Sequence, residues 1–298
     1  MTRRGDLDPR LGMQFAVSAA RDAGVPRSRL RASDLQAPFN GARSTTPITG
    51  VVGLCRAYLP VAPARFAFSH VIAARLYGIA LPSRLEGERA LDVSVPLGST
   101  PPRRRGVTAH RATELDIREF EGLPLLAPCV VWLQLARSLD VDELVVAGDS
   151  LVRRKGRLTD LATLHAAVDA AANARGVRRS RAALADIRPG TDSAQESRLR
   201  LEIVRAGLPE PVIGHTVFHE GAFVGTPDLA YRPQRIAIEY QGSTHWRDEA
   251  AVAADIARRE MFIRAGWRVL EVTASRLRSS GRIAGELAAL LAETPPRR

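Results

Sequence analysis

Glu239 stands inside an apolar, strand-like run of the chain. The run reads RIAIEYQ over residues 235–241, so β-branched and aromatic residues flank the carboxylate. Such a run predicts a central strand that is buried on both faces. A lone carboxylate in that position costs several kcal/mol unless it is paired or bound to a metal. The fold must therefore supply Glu239 with a cationic partner.

A second carboxylate is predicted to lie beside the first. Residues 223–231 are also rich in β-branched and aromatic residues, and a short turn at Pro233 joins them to the run that holds Glu239. This pattern predicts a hairpin that brings Asp228 next to Glu239, while Gln241 shares the face of Glu239 because it is two residues further on. Two carboxylates and an amide oxygen are hard ligands that suit Mg²⁺ or Mn²⁺.

These residues carry a resemblance to a known family. Pro227-Asp228 followed by Glu239-Tyr240-Gln241 resembles the PD-(D/E)XK nuclease signature, most closely the branch similar to the very-short-patch-repair endonucleases. The flanking segments extend the resemblance over about residues 191–275. They are an opening helix at residues 193–209 with Glu196 in its acidic position, a Gly-x-x-His turn at Gly242 and His245, a closing helix with Asp255 and Arg258, and a segment at residues 265–272 in which the closing strand begins.

The resemblance implies an α/β fold in which residues 191–298, with strands predicted at residues 212–219, 223–231, 235–241 and 268–273, form a restriction-endonuclease-like αβββαβ core with a mixed sheet. It also implies a metal-dependent endonuclease that hydrolyses DNA, with Asp228 and Glu239 holding Mg²⁺ or Mn²⁺. The other implied site residues are Gln241 to orient the attacking water, Glu196 to bind a second ion or fix the water shell of the first, His245 as general base or as proton donor to the leaving oxygen, and Arg258 as a phosphate contact.

One residue departs from the signature. The family's lysine corresponds to position 241, which is Gln, and the only lysine in the sequence is Lys155. In such nucleases the lysine is thought to position the water or stabilise the charge that develops on the phosphate, and Gln carries no charge. The resemblance therefore implies the fold more strongly than turnover, and a DNA-binding regulator with a degenerate, non-cleaving nuclease fold is the alternative.

Three of the implied site residues also have structural interpretations. Ser193-Ala-Gln-Glu196 fits a capping box in which Glu196 reaches back to the backbone N–H of Ser193. Asp255 precedes Arg258 by three residues, the spacing of a solvated ion pair on a helix. His245 follows a Gly-Ser-Thr turn, which is also typical of a surface loop.

The basic charge lies in the N-terminal part of the chain. Residues 191–298 contain 15 Arg and 14 Asp plus Glu, so residues 1–190 carry +10 of the net charge of +11. Such an excess is typical of a protein that binds a polyanion, here DNA, with RNA left open. The alternative explanation of this charge is amino-acid usage, because the whole chain uses Arg in place of Lys and is rich in Ala. The arginine clusters that we expect to contact phosphates are Arg103, Arg104 and Arg105, then Arg153 and Arg154, and a third around Gly176 with Arg175, Arg178, Arg179 and Arg181.

The sequence of residues 1–190 predicts an α+β N-terminal domain. A helix at residues 14–22, a recognition helix within residues 26–35 and strands from residue 49 would form a winged-helix unit over residues 1–60. Residues 61–190 contain a helix that ends at Gly78, a strand at residues 91–96 with a return strand at residues 107–111, and four helices. The segments FSHVIAARLYGIALP and VPLGSTPPRRRGVTAHR, with those that follow them, resemble the AbiEi-type antitoxin family, which implies a link to toxin-antitoxin or defence systems. Gly190 marks the boundary with the nuclease-like domain.

Several classes of protein lack support in the sequence. There is no apolar run long enough to span a bilayer and no signal-peptide core, so we expect a cytoplasmic protein without a membrane partner. Cys55 and Cys129 stand alone and are predicted to be buried structural thiols. His70 is interpreted as a half-buried helix residue, His110 as a strand-end residue, and Asp149 as a solvated or helix-packing residue. Nothing in the sequence indicates the oligomeric state.

Overall fold

The computed structural model describes residues 7–87, 90–172, 174–242, 249–277 and 281–293. The chain is a mixed α/β protein that divides into two compact units. The first unit contains Met1–Asp140 and Ala162–Arg181, and the second contains Val141–Leu161 and Ala182–Arg298. Residues 141–161 thus belong with the C-terminal residues, whereas the sequence analysis placed the boundary at Gly190.

Helices and strands alternate irregularly in the first two thirds of the chain. The strands are β1 (Gln14–Ala16), β2 (Ala42–Ser44), β3 (Ala67–Phe68), β4 (Leu91–Pro96), β5 (Val107–Ala112), β6 (Ile117–Phe120) and β7 (Leu123–Leu126). The α-helices are α1 (Val17–Asp22), α2 (Gly50–Tyr58), α3 (His70–Tyr77), α4 (Ser83–Glu86), α5 (Pro128–Leu135), α6 (Val141–Leu151), α7 (Leu161–Ala170) and α8 (Val177–Leu184).

A five-stranded sheet forms the centre of the first unit. Its strand order is β5-β4-β3-β7-β6, and helices α3 and α5 pack against each other beside it. Large side chains without solvent contact fill its core, among them Trp132, Phe68 and Ile72. Strands β4 and β5 are parallel, so the expectation that residues 107–111 return antiparallel to β4 was wrong.

The extreme N-terminal region differs most from the sequence-based expectation. Residues 14–16 form a strand that pairs with β2, and the helix begins only at Val17. The predicted recognition helix is a single 3₁₀ turn, Arg29–Arg31. Residues 49–52, predicted to be extended, lead into and start α2, because Cys55 and Tyr58 on that helix are fully buried. Burial of one helix face outweighs the β-propensity of the Val-Val pair.

The second unit contains the elements predicted around Asp228 and Glu239. Its strands are β8 (Val212–Ile213), β9 (Val217–His219), β10 (Ala222–Gly225), β11 (Leu229–Tyr231), β12 (Ile236–Gln241) and β13 (Arg268–Thr273). Its further helices are α9 (Ala194–Arg205), α10 (Glu249–Arg264), α11 (Ala274–Leu277) and α12 (Arg282–Ala292).

Four of these strands form a mixed sheet in the order β13-β12-β11-β8. Strand β12 pairs antiparallel with β11 and parallel with β13, so it is a central strand as predicted. Apolar residues from β11, β12, β13, α9 and α12 form one core on this sheet. The predicted strand at residues 223–231 is broken into β10 and β11, and β9 and β10 form a separate hairpin.

Two further expectations concern membrane-spanning helices and the two cysteine thiols. Within the described ranges, the helices are too short or too polar to cross a bilayer. Cys55 is buried as predicted, and burial raises the pKa of its thiol to about 12. Cys129 is only half-buried, which corrects the prediction for that residue.

Candidate functional site

Asp228 lies at the junction between the break after β10 and the start of β11. One carboxylate oxygen accepts a hydrogen bond of 2.7 Å from the backbone N–H of Tyr240. Burial raises the pKa of Asp228 to about 6 against the opposing effect of this hydrogen bond, while the charge of Glu196 raises it further and those of Arg258 and Arg154 lower it. A carboxyl group with this pKa changes its charge near neutral pH.

Glu239 lies on β12, beside the strand that Asp228 precedes. The antiparallel pairing of β11 with β12 ends at Leu229 and Ile238, so Asp228 and Glu239 each lie one residue beyond the last pair. On its other side Glu239 is paired with Glu271 of β13. Glu239 and Glu271 therefore point to the same face of the sheet, because paired residues point the same way, and Asp228 lies close enough for its charge to act on Glu239.

Glu239 is buried, with 5% of its surface exposed, as the sequence predicted. Burial raises the pKa of Glu239, Arg258 lowers it, and the charges of Asp228 and Glu271 raise it again. The electrostatic influence of these carboxylates on each other shows that they share one local environment.

Arg258 of α10 supplies the cationic partner. Its Nη1 lies 2.8 Å from Glu239 Oε1, and its Nη2 donates a hydrogen bond of 3.1 Å to Oε2. The contact at Oε1 is close enough for an ion pair but lacks hydrogen-bond geometry, so this buried oxygen accepts no hydrogen bond from the described residues. Asp255, the helix partner expected for Arg258, is 4.0 Å away. The guanidinium therefore contacts Glu239 more closely than Asp255.

Glu196 has a structural function at the start of α9. Its backbone N–H donates to Ser193 Oγ, so Ser193 is the N-cap as predicted. The Glu196 carboxylate accepts a hydrogen bond of 2.9 Å from the N–H of Asp192, one residue before the expected Ser193. Glu196 is also buried and raises the pKa of Asp228, so it lies close enough to Asp228 to interact with its charge.

Gln241 is the last residue of β12 and is half-buried. It follows Glu239 by two residues and is paired with Thr273 of β13, so it lies on the same face as Glu239. His245 lies outside the described residues.

The predicted nucleic-acid contacts have different environments. Arg154 donates from Nε to Asp192 at 3.0 Å and approaches Gly214, and it lowers the pKa of Asp228. Arg153 donates to the carbonyl of Gly156. In the other unit Arg103 and Arg105 are exposed, whereas Arg104 is half-buried and donates to the carbonyl of Asn40. Of these arginines, Arg154 therefore belongs to the carboxylate site.

A buried ion pair escaped the sequence analysis. Arg200 of α9 and Asp149 of α6 are 1% and 0% exposed, and Arg200 Nη2 lies 3.0 Å from Asp149 Oδ2. Asp149 also accepts a hydrogen bond from the backbone N–H of Arg188. Asp149 is therefore a buried helix-packing residue and not a solvated one. Its position in an apolar helical run, DELVVAGDSL, was the available signal.

A second group of polar side chains lies in the first unit. Within the described residues, only His70, Asp92 and His110 offer three possible metal-ligand atoms that all lie within 4.8 Å of one another. His110 Nε2 is 2.8 Å from Asp92 Oδ1, and the rings of His70 and His110 stack with centroids 3.7 Å apart. The two histidines were treated separately in the sequence, because His70 begins α3, His110 lies on β5, and their contact depends on tertiary packing that neither segment shows alone.

Comparison with known proteins leaves the family open. No family model matches the chain, and no solved structure matches it. Two uncharacterized proteins of Mycobacterium tuberculosis, Rv2248 of strain H37Rv and MT2308 of strain CDC 1551, are each 25% identical to it over 186 residues. The alignment covers 61% of this chain and 67% of each relative.

Proposed function

We propose that residues 191–298 form a PD-(D/E)XK endonuclease-like domain that hydrolyses phosphodiester bonds of DNA with Mg²⁺ or Mn²⁺. The observation that carries the proposal is the proximity of Asp228 and Glu239, which each lie one residue beyond the last pair of β11 and β12 and are both desolvated. Two neighbouring carboxylates with raised pKa values are more typical of a site than of a structural ion pair, which would lower them.

The order of elements supports the same proposal. The sequence α9, β8, β11, β12, α10, β13 follows the αβββαβ order that the family resemblance implies, with the β9–β10 hairpin inserted between the first two sheet strands. The sheet is mixed, with β13 parallel to β12. In this arrangement Glu239 lies on a central strand, Asp228 directly precedes another, and α10 contacts β13 and β10.

The donor set fits a hard divalent cation. Glu239 Oε1 is buried, lies 2.8 Å from Arg258 Nη1 and accepts no hydrogen bond from the described residues, and Asp228 accepts the hydrogen bond from Tyr240 through Oδ2. Asp228 and Glu239 would hold the ion, which when bound polarises the scissile phosphate and acidifies a water molecule. The Glu196 and Glu271 carboxylates do not complete a three-ligand cluster with them within 4.8 Å, so water and phosphate oxygens would fill the remaining positions.

Two other residues have defined roles in this proposal. Arg258 neutralises Glu239 when no other cation does, and its guanidinium would turn to the phosphate of the DNA once Glu239 is otherwise neutralised. Gln241 would orient the water with its amide, since it follows Glu239 on the same face. Arg154 would contact a neighbouring phosphate, and Arg103, Arg104 and Arg105 would add contacts from the basic first unit.

The test is cleavage of labelled plasmid, linear duplex and single-stranded DNA with Mg²⁺ or Mn²⁺. The wild type is compared with Asp228→Asn and Glu239→Gln, and with Glu220→Gln as a matched control at an exposed carboxylate in the β9–β10 turn. Metal-dependent cleavage that the first two substitutions abolish and the control retains would support the proposal. Cleavage that survives in both site variants would contradict it.

A DNA-binding, antitoxin-like regulator with a non-cleaving nuclease fold is the second candidate. It is favoured by Gln241 in place of the lysine and by the close contact of Arg258 with Glu239, which already compensates the buried charge. In that case no substrate is cut, while the wild type, Asp228→Asn and Glu239→Gln bind duplex DNA equally. Their affinity would fall steeply as the salt concentration rises.

A further inference from the structure

A cavity of about 760 Å³ opens in the first unit, apart from the carboxylate site. Its lining includes the ring pair His70 and His110, Asp92, and four arginines from the end of α5 and the start of α8, namely Arg137, Arg175, Arg178 and Arg179. The size is that of pockets that hold ligands as large as nucleotides.

The start of α8 is held firmly against the end of α5. Arg179 Nη1 donates to the carbonyls of Ala136 and Leu139. Gly176 has a φ of +98°, and a Cβ there would lie 3.1 Å from the Ala136 side chain. Only glycine permits this approach. The arginines on both sides of the contact are therefore presented from a fixed backbone.

The cavity carries an excess of positive charge. Within the described part of the chain, Arg137, Arg175 and Arg178 are exposed and form no ion pair with a carboxylate. The one acidic residue of the lining, Asp92, is held by His110 at 2.8 Å. Guanidinium groups without internal partners bind phosphate oxygens through paired N–H donors.

His70 is fixed at the edge of the cavity. Its backbone N–H donates to Gln134 Oε1, its Nδ1 lies 3.0 Å from Ser69 Oγ, and its φ is +51°. A positive φ is uncommon for a residue with a side chain and persists only where neighbouring contacts impose it. The backbone contacts thus hold the imidazole stacked on His110.

The geometry argues against a shared metal ion at this cluster. The lone pair of an imidazole nitrogen lies in the ring plane, and the planes of His70 and His110 are stacked at only 21° to each other. Lone pairs in nearly parallel planes cannot converge on one ion. Arginines in the same cavity also oppose a dication by charge repulsion.

We propose that this cavity binds the phosphate group of a nucleotide-sized ligand, with Arg137, Arg175 and Arg178 contacting the phosphate and the His70–His110 pair forming its floor. The phosphate belongs either to a free nucleotide or to a nucleic-acid chain. The site is independent of the proposed nuclease activity, because its residues lie in the other compact unit.

The experiment measures binding of ATP, inorganic pyrophosphate and a short labelled oligonucleotide to the full chain, in EDTA and at low ionic strength. Arg175→Glu/Arg178→Glu is the test variant. Arg21→Glu/Arg65→Glu is the matched control, because it makes the same charge change at exposed arginines of the same unit outside the cavity lining. Asp92→Asn, which keeps an acceptor for His110 and removes a negative charge, is the third variant.

We expect the test variant to bind at least about 100-fold more weakly, since two charge-assisted contacts are lost and reversed. The control should stay within about 3-fold of the wild type, and Asp92→Asn should bind as tightly as the wild type or more tightly. Tighter binding of ATP would identify a free nucleotide as the ligand, and tighter binding of the oligonucleotide would identify a nucleic acid.

Three results would overturn the proposal. The first is absence of binding of every phosphate compound to the wild type. The second is an equal loss in the control variant, which would indicate diffuse attraction to a basic surface. The third is binding that requires added Zn²⁺ or Mn²⁺ and disappears in Asp92→Asn, which would identify a metal site.

Discussion

Arg258 contacts both carboxylate oxygens of Glu239, with its Nη1 2.8 Å from Oε1 and its Nη2 3.1 Å from Oε2. The carboxylate is 6% exposed and the guanidinium 37%. The pair thus joins a buried anion to a cation that can reach water. The Arg258 guanidinium can therefore move away from Glu239 into water. The Glu239 carboxylate stays buried and cannot be solvated when it does.

Removal of the guanidinium should destabilise the protein. Arg258→Ala leaves Glu239 buried without its partner, and we expect a loss of about 1–3 kcal/mol in the free energy of unfolding, reduced from the value for a fully buried pair by the exposure of Arg258. Urea unfolding at pH 7 measures it. Arg259→Ala, which breaks a more exposed contact of 3.5 Å to Glu271, should change stability by no more than about 0.5 kcal/mol. Equal effects of the two variants would refute the argument.

Asp228 should make stability depend on pH. Its pKa is raised from 3.8 to about 6, so the folded chain holds a proton that the unfolded chain releases between those values. The stabilisation is complete below about pH 4 and is lost as the pH rises through 6. Asp228→Asn keeps an acceptor for the Tyr240 N–H and should be more stable than the wild type above pH 6, by about 2–3 kcal/mol. Urea unfolding between pH 4 and pH 7 checks this; a constant difference between the two proteins would contradict it.

Glu196 can be separated into its two roles. Glu196→Gln keeps an oxygen that accepts from Asp192 N–H, so stability should fall by less than about 0.5 kcal/mol, whereas Ser193→Ala removes the cap and should cost about 1 kcal/mol. Thermal unfolding measures both. If the proposed nuclease uses the charge of Glu196, Glu196→Gln cleaves DNA more slowly while Ser193→Ala does not. Equal cleavage rates in the two variants would show that Glu196 acts only in the cap of α9.

If residues 191–298 are a nuclease as proposed, the lysine of the family signature can be introduced at Gln241. Gln241→Lys places a cation on the face of Glu239, and we expect it to raise the cleavage rate by about 10-fold or more if charge on the phosphate limits the reaction. Gln234→Lys is the control, because it makes the same change two residues before β12 begins, at the end of the strand away from Gln241. Single-turnover cleavage with Mg²⁺ gives the rates. An inactive wild type with an active Gln241→Lys would show a nuclease site that needs only the cation, and no rise in Gln241→Lys would rule out the lysine position as the limiting feature.

The buried pair of Arg200 and Asp149 should couple strongly. Arg200→Met leaves a buried carboxylate unpaired and should cost about 3–5 kcal/mol, while Asp149→Leu combined with Arg200→Met should cost much less than the sum of the single changes. A double-mutant cycle from urea unfolding measures the coupling. Additive effects would show that Glu210, which also contacts Arg200, compensates its charge instead.

The sequence predicted those parts of the second unit that depend on local pattern. Strand β13 begins and ends at the predicted residues, β12 begins one residue late, and Ser193 caps α9 as expected. The burial of Glu239 was also predicted, because an apolar run on both sides leaves few other environments. Periodicity and capping depend on residues that are close in sequence, so one segment is enough to predict them.

The errors arose where distant residues decide the structure. The strand predicted at residues 223–231 breaks after Gly225, where a Cβ would lie only 2.9 Å from Phe262 of α10. The predicted strand at residues 212–219 breaks around Gly214, which has a φ of +63°. Helix spacing indicated the ion pair of Arg258 with Asp255, which the structure has at 4.0 Å, but it could not indicate the closer contact of Arg258 with Glu239 on another element. Parallel or antiparallel pairing of β4 and β5 was likewise not encoded in either strand alone.

Each compact unit is built from two separate segments of the chain, and this limits how one unit can be transferred to another gene. The chain passes from one unit to the other three times, after Asp140, Leu161 and Arg181. A recombination event or gene fusion at Gly190 would carry α9 away without α6, and Arg200 would arrive in its new host without the carboxylate of Asp149. The second unit is therefore not portable as a C-terminal module, because residues 141–161 would have to be transferred together with it.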